Sequence, residues 1–222
     1  MKNNTSFTLG IYFSMLILFS GCEKEPEIVI DVDGNEYSTV TIGTQVWMAE
    51  NLKTTKFNDG TDIPFITSNT IWAGLTTPGY CYYDNSWGNG LIYGALYNWY
   101  TVNTGKLCPT GWHVPTNEEW TTLITYLGSD TLVGGKLKET GTAFWLSPNR
   151  GATNETGFSA LGGGYRSSSG PFNAIKTSGL FWSSSEYIWD LVTFIGLYRI
   201  TSNTLKSHAD KPAGMSIRCI RD

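Results

Sequence analysis

Cys108-Pro-Thr-Gly-Trp-His-Val-Pro-Thr-Asn-Glu-Glu-Trp120 is the stretch on which the fold turns. It gathers a cysteine, a histidine, two adjacent glutamates and two tryptophans. Such density fits either an active site or a structural knot. Thr116 is followed three residues later by Glu119, the spacing of a capping box, in which each side chain satisfies the other residue's backbone amide. Trp120, Leu123, Ile124 and Leu127 then recur at helical spacing, and Gly128 stops the pattern. A helix is therefore predicted to begin just after Thr116. Glu119 closes its cap, and Glu118 lies at the positive end of its dipole. His113 has no second His or Cys nearby at ligand spacing, so it reads as a packed or hydrogen-bonded residue rather than a metal ligand.

Working outward, the N-terminus reads as an export signal. Lys2 is the only charge before residue 23, an apolar run spans Ile11 to Phe19, and Ser20-Gly21-Cys22 follows. The run is shorter than the roughly 20 apolar residues that a membrane-spanning helix needs. Residues 1–21 are expected to be a signal peptide. The junction resembles a bacterial lipobox, with Phe19 where leucine is usual, which makes Cys22 the lipidated first residue. An ordinary signal cleaved nearby is the alternative. Residues 22–27 are polar and broken by Pro26, a solvated tether. The acidic run after Cys22 resembles a surface-export signal of envelope lipoproteins. The expected location is the bacterial envelope, anchored by lipid, at the outer membrane and on its exposed side. Residues 28–222 then form one domain.

In an exported chain, two of the remaining cysteines should oxidise and one should be left over. Cys108 and Cys219 each lie beside a patterned element and are expected to pair. Cys81, in the aromatic run Gly79-Tyr-Cys-Tyr-Tyr83, is expected to be a buried free thiol.

The formal charge of −4 gives no electrostatic footprint for nucleic acid. Charged residues make up only 15%, aromatics reach 14% and there are 25 glycines, which argues for short strands and turns over a helical bundle. Ile28 to Met48 reads as β structure folded at Asp33-Gly34-Asn35 and again at Gly43-Thr44. Tyr93, Leu96, Trp99 and Tyr100 share a helical face, so a helix is expected there, ending at Asn103-Thr-Gly105. Residues 131–139 suggest a second short helix. Phe181-Trp182, Leu191–Ile195 and Met215–Ile220 read as strands.

Tests for chemistry return little. Asp31-Val-Asp33-Gly34-Asn35 looks like the start of a calcium loop, but its glycine comes early and no glutamate closes it, so a hairpin tip is expected. Gly157-Phe-Ser159-Ala-Leu161 lacks the last glycine of a nucleophile elbow. Gly134-Gly-Lys136 is followed by Leu137 and is no phosphate loop. No catalytic residue, metal or cofactor is assigned. The aromatic, glycine-punctuated loops suit binding instead. Gly164–Phe172 and Trp182–Trp189 supply the candidates: Tyr165, Arg166, Trp182, Glu186, Tyr187 and Trp189. Their partner is expected to be a surface glycan, polymer or protein.

Six segments appear in the order of one family. They are DVDGNEYSTVTIGTQVWMAENL from Asp31, YGALYNWYTV from Tyr93, LCPTGWHVPTNEEW from Leu107, NETGFSALGGGYR from Asn154, FWSSSEY from Phe181 and SIRCIRD from Ser216. Together they resemble the Fibrobacter succinogenes major paralogous domain, a family of exported and often lipid-anchored proteins. More distantly, HVPTNEEW and SIRCIRD are similar to segments of formylglycine-generating enzymes. That likeness implies an α+β, C-type-lectin-like domain with short twisted antiparallel strands, two or three helices and long loops. The enzyme's C-terminal cysteine pair has no counterpart, because Cys219 stands alone there. The Glu-Pro-Asn motif of calcium-dependent lectins is also missing: Ser147-Pro-Asn149 lacks the carboxylate. The resemblance therefore implies a non-catalytic binding or adhesion domain. A divergent enzyme of that type and a purely structural envelope component are the other readings.

Overall fold

The computed structural model describes Met1 and residues 27–222, except 129, 130 and 190. The expected signal peptide, Cys22 and the expected tether up to residue 26 lie outside the described residues. The fold is mostly β with short helices, an α+β arrangement.

Strand β1 (Ile28–Ile30) pairs antiparallel with β2 (Glu36–Ile42) around the Asp31–Asn35 turn. Asp31 builds that turn. Its carboxylate accepts from the amides of Asp33 and Asn35, from Asn35 Nδ2 and from the Tyr37 hydroxyl at 2.6 Å. The hairpin reading of this segment holds, and its carboxylates are occupied. A two-residue turn, with Gly43 at φ 63°, leads into β3 (Gln45–Met48). A positive φ is the conformation a tight hairpin requires and glycine tolerates.

The middle of the chain supplies β4 (Tyr80–Cys81), α2 (Trp87–Tyr93), β5 (Leu96–Tyr97) and α3 (Trp99–Val102), after a first short helix, α1 (Asn69–Ala73). The expected helix over Tyr93–Tyr100 is corrected here. Gly94, at φ 79°, breaks it, and the position a Cβ would take lies 2.8 Å from the Leu52 carbonyl oxygen. The strand β5 then pairs with β4, and Asn98 caps a new helix by accepting from the Thr101 amide. Tertiary pairing overrides the helical spacing.

Next come β6 (Trp112–His113), α4 (Asn117–Tyr126) and α5 (Val133–Leu137). The helix after Thr116 forms as its sequence dictates, with both halves of the capping box present. Gly134 and Gly135 serve packing. A Cβ at either would sit 2.1–2.3 Å from a backbone oxygen of Gly151 or Asn203.

The last third is β7 (Gly163–Arg166), β8 (Phe172–Ile175), β9 (Ser178–Ile188), β10 (Leu191–Tyr198), β11 (Thr204–Asp210) and β12 (Ile220–Arg221). Two five-stranded sheets result, ordered β1-β2-β3-β12-β6 and β11-β10-β9-β7-β8. The chain's end thus returns between its beginning and its middle. The disulfide Cys108–Cys219 fastens that return, and Cys81 is a buried free thiol.

Strand β9 is buried on both faces over Ser178–Ser183. Trp182 packs into one cluster with Trp99, Phe194 and Met215, while Phe181 enters another with Trp47, Trp120 and Phe158. Helix α4 joins the second cluster through Trp120, whose ring lies 4.9 Å from Trp47.

Candidate functional site

The dense stretch at 108–120 is a structural knot. Beyond the cap and the disulfide, His113 bridges two carboxylates. Its Nδ1 is 2.7 Å from Asp222 Oδ1, and its Nε2 is 2.8 Å from Glu119 Oε1. Burial alone would lower the imidazole's pKa, but the hydrogen bonds to Asp222 and Glu119 outweigh it and raise the value above 6.5. Glu119 is also engaged by the Thr116 amide and hydroxyl. The histidine therefore ties the cap of α4 to the C-terminus. Among the described residues, no group of His, Cys, Asp and Glu could hold a metal ion.

The six candidate binding residues do not converge. Arg166 is fully buried. Its guanidinium donates to the carbonyls of Gly170, Ile66 and Thr67 and to Asn69 Oδ1, between the rings of Trp72 and Phe172. Trp182 is 0% exposed, and its Nε1 donates to the Tyr97 carbonyl. Both are corrected from ligand contacts to interior residues, with their donors already occupied by protein acceptors. Glu186 pairs with Lys211 at 3.0 Å, and Lys211 lies over Trp99. Tyr187 stacks on His208, with ring centroids 3.6 Å apart. His208, paired with Thr193 across β10 and β11, lines the same groove as Tyr165, so Tyr187 lies against the groove's edge. Trp189, 89% exposed at φ 47°, projects from the turn between β9 and β10.

Tyr165 is placed differently. It lines a groove of about 480 Å³ on the second sheet. The floor is apolar, made by Leu180, Phe194, Ala213 and Met215, which belong to the main core. Tyr165 and Tyr198 are half-buried on its walls. At the rim, the Ser168 hydroxyl donates to Asp210 Oδ2 at 2.8 Å. Burial raises the Tyr198 phenol's pKa, and the nearby Tyr165 phenol adds to the rise. Among the described residues, no lysine or arginine lines the groove, and His208 is its one basic side chain.

The groove-facing residues of β10 were missed in the sequence, although a signal exists. Phe194 and Tyr198 of the lining share one strand face with Gly196 between them, and a glycine inside a strand marks close approach. A Cβ on Gly196 would meet the Tyr198 hydroxyl at 2.8 Å and its Cε2 at 2.9 Å. The glycine therefore makes room for the tyrosine ring.

Cys81 offers no nucleophile. It is wholly buried, and burial pushes its thiol up to about 12 despite the nearby Arg166. Asp33 is equally committed. It accepts from the Thr55 amide and from the hydroxyls of Thr54 and Thr55.

A family model described as the Fibrobacter succinogenes major domain matches residues 40–221. No curated protein and no solved structure matches the chain.

Proposed function

The chain belongs to the Fibrobacter succinogenes major domain family, and we propose that it is an exported, lipid-anchored binding protein without catalytic activity. The groove on the second sheet carries this reading. It combines an apolar floor with a few polar groups at its edges, the usual composition of a ligand pocket. The residues whose side chains are suited to chemistry are employed elsewhere. His113 bridges two carboxylates, Cys81 is buried and Asp31 builds a turn. The burial of Cys81 also weighs against a divergent formylglycine-generating-like enzyme that uses this thiol.

The C-type-lectin-like character of the domain belongs to the same proposal. Support comes from the placement of β12 between β3 and β6, which brings the two ends of the chain into one sheet, and from the disulfide that closes the loop. Anchorage through Cys22 rests on the apolar run and small residues before it. The partner is taken to be a component of the bacterial surface.

Ligand-detected NMR on the full-length protein, with pools of soluble saccharides and peptides, tests the binding role. Saturable binding that disappears in Tyr198→Ala supports it. Turnover of a pool member, or binding indifferent to the groove, overturns it. Metabolic labelling with a palmitate analogue tests the anchor, and label retained in Cys22→Ala refutes it.

A further inference from the structure

Resting on that binding role, we propose that the groove takes a neutral saccharide, seated with the apolar C–H face of a sugar ring against Tyr198. Three observations select this class of ligand.

The first is the lie of the tyrosine. Tyr198 follows Gly196 by two residues on the same face of β10. Its phenol end occupies the space a Cβ on Gly196 would need. The ring therefore lies back along the strand and offers a flat surface inside the groove. A sugar ring presents a matching apolar face, and burying both surfaces is favourable.

The second is the disposition of polar groups. The hydroxyls of Tyr165, Tyr198 and Ser178 have no hydrogen-bond partner among the described residues. A hydroxyl both donates and accepts, as do the hydroxyls of a sugar. Asp210, held by Ser168, keeps its second carboxylate oxygen as a further acceptor at the rim. A purely aliphatic ligand would cover these groups and leave them unsatisfied, which is costly.

The third is charge. Among the described residues the lining holds a carboxylate at Asp210 and no lysine or arginine, with His208 as its one basic side chain, so it lacks the fixed cations that recognise an acidic sugar or phosphate. Neutral rings fit.

The test uses the full-length protein in a detergent without a sugar headgroup. Cellotetraose, xylotetraose, mannotetraose and the peptide Leu-Tyr-Leu serve as separate probes in saturation-transfer NMR and calorimetry. At least one tetrasaccharide is expected to bind saturably. The double variant Tyr165→Phe/Tyr198→Phe keeps both rings and should weaken binding by about 2- to 12-fold for each hydroxyl lost. Gly196→Ala should displace the ring and weaken binding about 10-fold or more, a loss near 1.4 kcal/mol at that fold-change. The displaced atoms are the far end of a side chain, so the fold should survive, and a thermal melt checks this. If Gly196→Ala does not fold, the double phenylalanine variant decides. Trp189→Ala, at the hairpin tip, should leave affinity unchanged.

Binding of Leu-Tyr-Leu without any tetrasaccharide overturns the saccharide assignment and leaves the binding role standing. Binding of no probe counts against both. Saccharide binding lost in Trp189→Ala, and kept in the groove variants, overturns the site.

Discussion

Replacing Cys108 and Cys219 together by alanine removes a cross-link that spans 111 residues of sequence. In the chain-entropy model, a loop of that length returns about 16 cal/mol/K to the unfolded chain, or about 4.8 kcal/mol at 25 °C. Both cysteines are buried, so the missing sulfurs leave small gaps that cost roughly 1 kcal/mol each. The expected loss is therefore about 5–7 kcal/mol, a large share of the roughly 5–15 kcal/mol typical of a domain. Guanidinium unfolding of the oxidised protein, the reduced protein and the double variant measures it. Reduction keeps both sulfurs and isolates the chain-entropy part. The slope of the transition should rise when the cross-link is absent, because the unfolded chain then exposes more surface. Hydrogen exchange should show protection failing first where the C-terminus joins the sheet, at the Met48 amide that donates to the Cys219 carbonyl and at the β12–β6 pairs. A double variant within about 1.5 kcal/mol of the oxidised protein would refute the reasoning, since an engaged loop of this size should contribute far more.

Thr116→Ala removes one half of the capping box and should cost about 1 kcal/mol, read as a lower denaturation midpoint. An unchanged midpoint would mean that Glu119 and His113 hold the helix start without it. His113→Gln tests the bridge between Glu119 and Asp222. The folded-state pKa of His113 is raised, so its stabilisation is fully present below the unfolded value of 6.5 and fades as pH rises through the folded value. The difference in stability between wild type and variant should therefore shrink as pH rises from 6.5 through the raised folded value, and a difference flat from about pH 6 into the alkaline range would be inconsistent with a charged bridge. Lys138→Met strips three donors from buried carbonyls and should cost about 3 kcal/mol or more, with faster hydrogen exchange near residues 150 and 198–201. Loss of less than about 1 kcal/mol would show that water replaces the ammonium.

What the sequence made legible depended on how local the determinant was. Thr116 and Glu119 settle α4 within four residues, and the Asp31 turn is equally local, so both were readable. The pairing of Cys108 with Cys219 was readable because few cysteines compete. The helix expected from Tyr93 to Tyr100 failed because its fate is decided by distant partners. Gly94 must approach the backbone at Asn51 and Leu52, and Leu96-Tyr97 must pair with Tyr80-Cys81. The binding candidates fared similarly. Arg166 and Trp182 look like ligand contacts in a list of residues, but only tertiary structure reveals the carbonyls that occupy their donors. Tyr165 came with its groove partner unseen, because Tyr198 lies on a strand two removed from it in the sheet. Residues 31 and 33 show the converse: a resemblance to a cation loop dissolves once their acceptors are traced to the backbone.

The three deeply buried cations explain how so irregular a chain holds its shape, and they connect that shape to the groove. Long loops inside a protein bury carbonyls that no strand or helix pairs, and each needs a donor. Arg166, Arg218 and Lys138 are each fully buried, and each donates to three backbone carbonyls. None makes an ion pair within 4.0 Å among the described residues. Burial pushes the Lys138 ammonium down to about 8 and the Arg218 guanidinium down to about 9, while the carbonyl dipoles around them take the place of a counter-charge. Their positions also shape the groove. Arg166 grips Gly170 and so fixes the turn that carries Ser168 to Asp210 at the rim. Lys138 grips the carbonyl of Tyr198 at the end of β10. The groove walls are thus set by donors buried behind them, and if the proposed binding role holds, a Lys138 substitution should loosen saccharide binding through Tyr198 as well as lower stability.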